Sequence, residues 1–593
     1  MLLHFAFQTF CVLFNCFPTF PEVKVQQKSG QTYRTSRDNS HSWNDLPLDE
    51  TRPPTAFTKS GWVQGYFQQT ILGRRIAAFE TIPYGQPPAG EMRFRDPLPN
   101  HPWHGIYKAT RKSPACLQLD FGQLLRLHGQ EDCLYLSVYT PTLPTPDDTK
   151  VSAGLPVIVF IHGGGYISGR SSDYGPAYLL NRDVILVAIN YRLGILGFFS
   201  SGDQHAAGNW GMKDQLLGLK WVSSNIKYFG GDPDRVTIMG GSAGAASVGL
   251  HIVSKRSSGL FQRAICESGS SLAHFAVQND TFANSRITAS AVGCPTSSSE
   301  TMMACLRTTN PNWIVGRSIV TWELPILSRL PFGPVIEGQG ESSFLEEAPE
   351  VSYRHGRVKA IPMIIGITKD EGSVFAAGMY ITPGNMQQIN NNWDTLIPYA
   401  LAFDKRTNDT VGVSRKIRQF YLNGEKMTFW NRKGWIQMFG DRTITEGVYG
   451  AMQHHPMVAE TYGYIFNYEG TTSVVNVIGL ETKDWGVSHA DELIYLLNST
   501  TAFAPLTVDT KDYKVSEYLI DMWTNFASSG KPYYENHTGK KLDIWQPIRN
   551  IHDLNILEIN ETPRMIKFPE DLLKNLRFWQ KLRLKDDNSY YSS

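Results

Sequence analysis

The serine in Gly240-Gly241-Ser242-Ala243-Gly244 has the surroundings that point most directly to chemistry. A serine hydroxyl is a weak nucleophile until the backbone presents it to a base. A Gly-x-Ser-x-Gly turn between a strand and a helix does this. Side chains two positions either side would collide, and the helix that follows aims its first amides at the reacting atom. The apolar run Val236 to Met239 comes before the turn, and a stretch that reads as a helix comes after it. In a chain with 51 glycines the competing reading is a plain strand-to-helix turn. A second run, His162-Gly163-Gly164-Gly165-Tyr166, lies about 80 residues upstream, directly after the apolar segment Val157 to Ile161. Glycines there let backbone amides approach a carbonyl. Gly164 and Gly165, with the amide of Ala243, would form an oxyanion hole, in which each donor is worth about 3 kcal/mol. The competing reading is a flexible loop.

These residues need elements to hold them. Val157 to Ile161, Val184 to Ile189 and Val236 to Met239 read as strands covered on both faces. Lys213 to Ile226 reads as a helix between the last two, so the alternation predicts an α/β fold with a mostly parallel sheet. Leu519, Met522, Trp523 and Phe526 follow helical spacing, and Gly530 and Pro532 end that helix. Residues 141–156 read as a surface loop.

Composition sets the outer limits. The chain has 593 residues, 41% apolar and 19% charged, with a net charge of +1. That is a globular balance, with no bulk charge to draw nucleic acid. Residues 1–20 are apolar and read as a signal peptide, residues 21–56 as a polar leader, residues 57–582 as one domain and residues 583–593 as a polar tail. Cys11 and Cys16 would leave with the signal. Cys116, Cys133, Cys266, Cys294 and Cys305 remain. Pairing Cys116 with Cys133, and Cys294 with Cys305, would close two short loops, though spacing alone does not fix connectivity. Cys266, in an apolar run, reads as a buried thiol. Asn279, Asn408, Asn498, Asn536 and Asn560 each open an Asn-x-Ser/Thr sequon. Signal, cysteines and sequons together predict a secreted protein. The tail offers no membrane anchor.

Longer motifs carry a resemblance. Phe79-Glu80-Thr81-Ile82-Pro83-Tyr84, then Pro87-Pro88-Ala89-Gly90-Glu91-Met92-Arg93-Phe94, resemble the opening signature of the type-B carboxylesterases, the α/β-hydrolase branch that includes the cholinesterases. Glu131-Asp132-Cys133-Leu134-Tyr135-Leu136 resembles their second signature, and Asn190-Tyr191-Arg192, Gly208-Asn209 and Asp214-Gln215 also match. The likeness runs from about residue 57 to about residue 580 and is of the secreted arthropod type. It implies the α/β-hydrolase fold, a large mostly parallel central sheet flanked by helices. It also implies the rest of a triad. Glu371, in Gly366-Ile367-Thr368-Lys369-Asp370-Glu371-Gly372, matches the family acid, and His489, in Gly486-Val487-Ser488-His489-Ala490-Asp491-Glu492, matches the family base. Chain order Ser, Glu, His is the one these hydrolases use. The residues alone do not choose Glu371 over Asp370. Ser268 is similar to a family serine that supports the acid by hydrogen bonding, with a simple cap as the other reading. The resemblance further implies the disulfides Cys116–Cys133 and Cys294–Cys305 and the ion pairs Arg93–Glu131 and Arg192–Asp214, read as structural.

Two departures stand out. Gly241 occupies a position that is usually acidic in the family, and the Cys116–Cys133 loop has no Trp to stack on choline. The expectation is therefore a general esterase working through an acyl-serine on small carboxylic esters, as a monomer or homodimer. It needs no metal or organic cofactor, and His454-His455 reads as an exposed pair rather than a ligand set. The rival readings are a non-catalytic binding or adhesion protein, and a lipase or amidase on the same fold.

Overall fold

Continuous β-branched runs build the centre of the molecule, because a strand covered by helices on both faces has no solvated side to alternate toward. The computed structural model describes residues 52–121, 125–144, 154–322, 329–499, 501–535 and 540–584. Eleven of its strands form one sheet: β1 (Tyr66–Gln69), β2 (Arg75–Pro83), β3 (Tyr135–Thr140), β4 (Leu155–Ile161), β5 (Ile185–Ile189), β6 (Gly231–Gly241), β7 (Arg263–Glu267), β8 (Met363–Thr368), β9 (Thr461–Phe466), β10 (Asn555–Ile559) and β11 (Arg564–Lys567). Their spatial order is β1-β2-β3-β5-β4-β6-β7-β8-β9-β10-β11. From β5 to β10 neighbouring strands run parallel, and both margins are antiparallel.

The helices that matter for the site are α1 (Trp210–Asn225), α2 (Ala243–Val253), α3 (Ser373–Ile381), α4 (Arg432–Gly440), α5 (Glu446–His454) and α6 (Lys511–Ser529). A π-helical turn, Asp441–Thr445, joins α4 to α5. Along β4 the side chains alternate between two apolar cores. Val157, Val159 and Ile161 enter one, and Ile158 and Phe160 enter the other, where Leu519, Met522, Trp523 and Phe526 of α6 cover them. Each core is built of buried aliphatic and aromatic side chains worth about 1.5–3 kcal/mol apiece relative to exposure.

Local boundaries moved where packing outweighed pattern. The helix expected over Lys213 to Ile226 begins at Trp210. The strand expected over Val236 to Met239 reaches from Gly231 to Gly241, with a register shift between Gly231 and Val236. Thr55–Thr58 pairs with Gly61–Gln64 across the boundary expected at residue 57. The signal and leader through residue 51, Asn536 and residues 585–593 lie outside the described residues, as does part of the 141–156 loop.

Both disulfides, Cys116–Cys133 and Cys294–Cys305, are formed, and Cys266 is a buried thiol in β7. Arg192 and Asp214 make a buried ion pair at 2.7 Å, and Arg93 pairs with Glu131. The expected exposed pair His454-His455 is corrected. His455 is fully buried, with Nε2 on the Ile361 carbonyl at 2.9 Å, because the chain after α5 turns under the start of β8. Burial pulls its pKa down to about 4, so the ring is neutral.

Candidate active site

Ser242 stands where β6 turns into α2, with φ 59° and ψ −123°. A non-glycine residue rarely holds such a conformation, and here the surroundings enforce it. Its amide donates to the Glu267 carbonyl at 2.8 Å, and its carbonyl accepts from Ala246 at 2.9 Å. A Cβ on Gly240 would strike the Gly244 backbone, and one on Gly244 would strike the Ile161 carbonyl. Those two glycines let the turn close against β4. The glycine loop passes directly beside the serine, since a Cβ on Gly163 would lie 3.0 Å from Ser242 Cβ. Gly164 and Gly165 take φ of 98° and 61°, the left-handed region. Both line the same cavity as Ser242.

His489 sits on the loop after β9, and the chain after β8 carries Glu371. A clip fixes the two together. The Asp370 amide donates to the Val487 carbonyl at 2.9 Å, and the Val487 amide donates to Asp370 Oδ2 at 3.0 Å. Asp370 is thereby used up in holding the loop, while Glu371 Oε2 meets His489 Nδ1 at 2.6 Å. Glu371 Oε1 accepts from the Thr368 amide at 2.8 Å. Both side chains are almost wholly buried. Burial pulls the imidazole pKa down, but the Glu371 charge and hydrogen bond push it further up, so the net direction is above the ordinary histidine value.

Ser242 and His489 line one cavity of about 200 Å³. Its other walls are largely apolar, including Phe121, Phe275, Leu330, Phe375, Ile444 and Leu493. A Cβ on Gly241 would lie 2.7 Å from Leu493 Cδ1, so leucine fills the room that a side chain before the nucleophile would take. Among the described residues Ser242 Oγ makes no hydrogen bond. Catalytic hydrogen bonds commonly tighten only when substrate is present.

Among the described residues Ser268 makes no hydrogen bond to Glu371. Its Oγ donates to Glu492 Oε1 at 2.9 Å, where Tyr464 OH also donates at 3.2 Å. Glu492 and Glu267, both fully buried, were missed by reasoning from sequence. The available signals were an acid in the apolar run before Ser268 and another three residues after His489. Asp491 holds the histidine loop by accepting from Ser473 Oγ and from the Val474 and Ser488 amides. Among the sequons, Asn279 and Asn408 are exposed. Asn498 is half-buried, with Oδ1 accepting from the Ala177 amide at 2.7 Å. Among the described residues no His, Cys, Asp or Glu cluster is arranged to hold a metal ion, and no helix is long and apolar enough to cross a membrane.

A mixed sheet with a parallel centre, a serine on the turn after a central strand, and an acid and a histidine on the next loops together define an α/β-hydrolase. The chain belongs to the carboxylesterase family, whose family model matches residues 52–579, and it is a carboxylic-ester hydrolase. It is 37% identical to Esterase E4 of Myzus persicae, over 86% of this chain and 91% of that one. It is 36% identical to the juvenile hormone esterase of Tribolium castaneum, over 90% of this chain and 94% of that one. The crystal structure of Manduca sexta juvenile hormone esterase with OTFP covalently attached superposes with a TM-score of 0.78 at 28% identity. That match covers 90% of this chain and 99% of the other.

Proposed function

We propose that Ser242 is the acyl-accepting nucleophile, His489 its general base and acid, and Glu371 the group that orients the imidazole. The observation that carries this reading is the 2.6 Å Glu371–His489 contact beside a cavity that Ser242 also lines. Ser242 Oγ attacks the ester carbonyl as His489 Nε2 takes its proton. Glu371 holds the Nδ1–H tautomer and offsets the charge of the imidazolium. Amides of Gly164, Gly165 and Ala243 receive the oxyanion. His489 then protonates the leaving alcohol, and later removes a proton from the water that frees the acid and restores Ser242. The apolar walls and glycine at 241 favour neutral esters with an apolar acyl group. Two disulfides and the exposed Asn279 and Asn408 support an extracellular, N-glycosylated protein. The non-catalytic adhesion reading is not favoured, because the acid–histidine pair is complete.

The test is labelling with a fluorophosphonate followed by peptide mapping. A single adduct on Ser242, formed in step with loss of activity, is expected. An adduct elsewhere, or inactivation without one on Ser242, rejects the assignment.

A further inference from the structure

Of four buried carboxyl groups around the catalytic histidine, two keep an oxygen without a donor among the described residues. Glu371 and Asp491 are matched, the first by the Thr368 amide and His489, the second by Ser473 and two backbone amides. Glu267 and Glu492 are not. Glu267 Oε1 accepts from Trp523 Nε1 at 2.8 Å, and its Oε2 has no partner among the described residues. Glu492 Oε1 takes both the Ser268 and Tyr464 hydroxyls, and its Oε2 likewise has no partner among the described residues. A buried carboxylate oxygen left without a donor costs free energy that native structures rarely leave unrecovered.

Strand register puts Glu267 in the same row as the tyrosine that holds Glu492. Gly241, Glu267, Gly366 and Tyr464 are successive register partners across β6, β7, β8 and β9. Parallel register partners point to one face of the sheet, so Glu267 stands in a slot between two glycines. The Tyr464 ring lies over Gly366, where a Cβ would strike it, and Leu493 lies over Gly241. The rings of Tyr464 and Trp523 meet at 5.5 Å, edge to face. One carries the hydroxyl bound to Glu492 and the other the indole bound to Glu267. The carboxylate absent at position 241 is thus present one strand over, on the same row.

We propose that Glu267 and Glu492 share a single proton between their otherwise unpartnered Oε2 atoms, and that Glu267 is thereby a positioning residue for Ser242 and His489. One proton satisfies both orphan atoms, with the acid donating to the carboxylate. Two buried carboxyl groups held on the neighbouring Trp523 and Tyr464 rings cannot both ionise cheaply. Burial first, and mutual repulsion second, push Glu267 well up. Burial first, and then the Glu371 charge, bring Glu492 up to about 7. The titratable groups facing the pair are Cys266 on β7, Tyr464 on β9, Tyr174, Glu371, Asp491 and His489. Among the described residues no lysine or arginine pairs with either group.

The shared proton matters because Glu267 is joined to the nucleophile. Its carbonyl accepts from the Ser242 amide at 2.8 Å, and a Cβ on Gly269 would strike the Ser242 carbonyl. While the proton is in place, one negative charge lies beneath the imidazole and the cradle of Ser242 is fixed. When it leaves at alkaline pH, two like charges repel and the cradle shifts.

The inference rests on the catalytic assignment above, and the experiment separates the two. The first measurement is the pH profile of kcat on a neutral ester for the parent, E267Q and E492Q. The glutamine at 267 donates permanently. In E267Q the alkaline limb is expected to move up by about one pH unit or more, while the acid limb stays. In E492Q the acid limb is expected to move down, because the charge beneath His489 is gone. The second measurement needs no turnover. At about pH 8, above the value of about 7 to which burial brings Asp441 and Asp491, the infrared carbonyl band of a buried protonated carboxylic acid in the folded parent should disappear in E267Q and persist in E492Q, where Glu267 keeps the proton. Three results overturn the inference: an E267Q profile that superimposes on the parent, a profile lowered by one factor at every pH, or an acid band that survives in E267Q. Should E267Q fail to fold, an E492Q acid limb that stays in place, or an acid band lost in E492Q, overturns it.

Discussion

Replacing Glu371 by glutamine keeps the size of the side chain and removes its charge, and the structure states which way the amide must turn. Glu371 accepts at both oxygens, from Thr368 N at one and His489 Nδ1 at the other. Glutamine has one acceptor for the two. If its NH2 faces Thr368, two buried donors oppose one another, at a cost of about 1–3 kcal/mol for each unsatisfied group. If its NH2 faces His489, Thr368 keeps its acceptor, but Nδ1 must be bare and Nε2 carries the hydrogen. That tautomer cannot accept the Ser242 proton. The second arrangement is the cheaper one, so the variant folds with its base inverted. The imidazolium formed during acyl transfer also loses its counter-charge. Together these predict a fall in kcat of about 10³- to 10⁴-fold, or about 4–5.5 kcal/mol. Glu371 also holds the imidazole pKa up against burial, so the residual activity should show its acid limb at lower pH. The assay is kcat and kcat/KM on a short neutral ester from about pH 5 to about pH 9, with circular dichroism as the check on folding. A variant within tenfold of the parent, or an acid limb that moves up, refutes the reasoning.

Other outcomes follow from the same geometry. Ser242→Ala and His489→Ala should each remove most turnover, and the double variant should be scarcely worse than either, since triad members act as a unit; additive losses in single-turnover kinetics would count against it. A choline ester and its neutral isostere should have kcat/KM within tenfold of each other or favour the neutral ester, because among the described residues no acidic side chain lines the cavity; a desolvated cation–π site would give about 2 kcal/mol, a roughly thirtyfold preference, and a ratio above about ten for the choline ester contradicts this. Asp441, at the start of the π-helical turn, is fully buried and pushed up to about 7 by that burial. The folded chain therefore holds this proton more tightly than the unfolded one, and stability is lost as pH rises from about 4 through about 7. Asp441→Asn should flatten that loss and gain about 1–2 kcal/mol at pH near 8, read from urea midpoints at the two ends of the window.

What could be seen in the sequence was what is local in the chain. Ser242 announces itself because strand, turn and helix are contiguous, and the glycines that permit the turn are its immediate neighbours. The fold class was visible for the same reason, since runs such as Val157 to Ile161 record burial on both faces. Choosing Glu371 over Asp370 needed the family resemblance, because the difference between them is the clip to Val487, more than a hundred residues away. Glu267 and Glu492 were not visible as a pair, because the row that brings them together draws on four strands. Burial of His455 depends on how the chain after α5 meets β8. A neighbour-to-neighbour reading sees two polar residues there and no carbonyl.

The thiol of Cys266 gives β7 a part in oxidative folding. Five cysteines lie in the described chain and two bridges form, so one sulfur has to be kept out of exchange. An exposed thiolate would attack either bridge and leave a mixed disulfide. In the finished sheet, burial and then the neighbouring Glu267 push the Cys266 thiol far up, so no thiolate is available. Insertion of β7 between β6 and β8 therefore ends disulfide shuffling as well as completing the nucleophile's cradle. A chain delayed at that step would be caught as wrongly bridged species, and a chain past it would keep its bridges in a thiol-containing buffer.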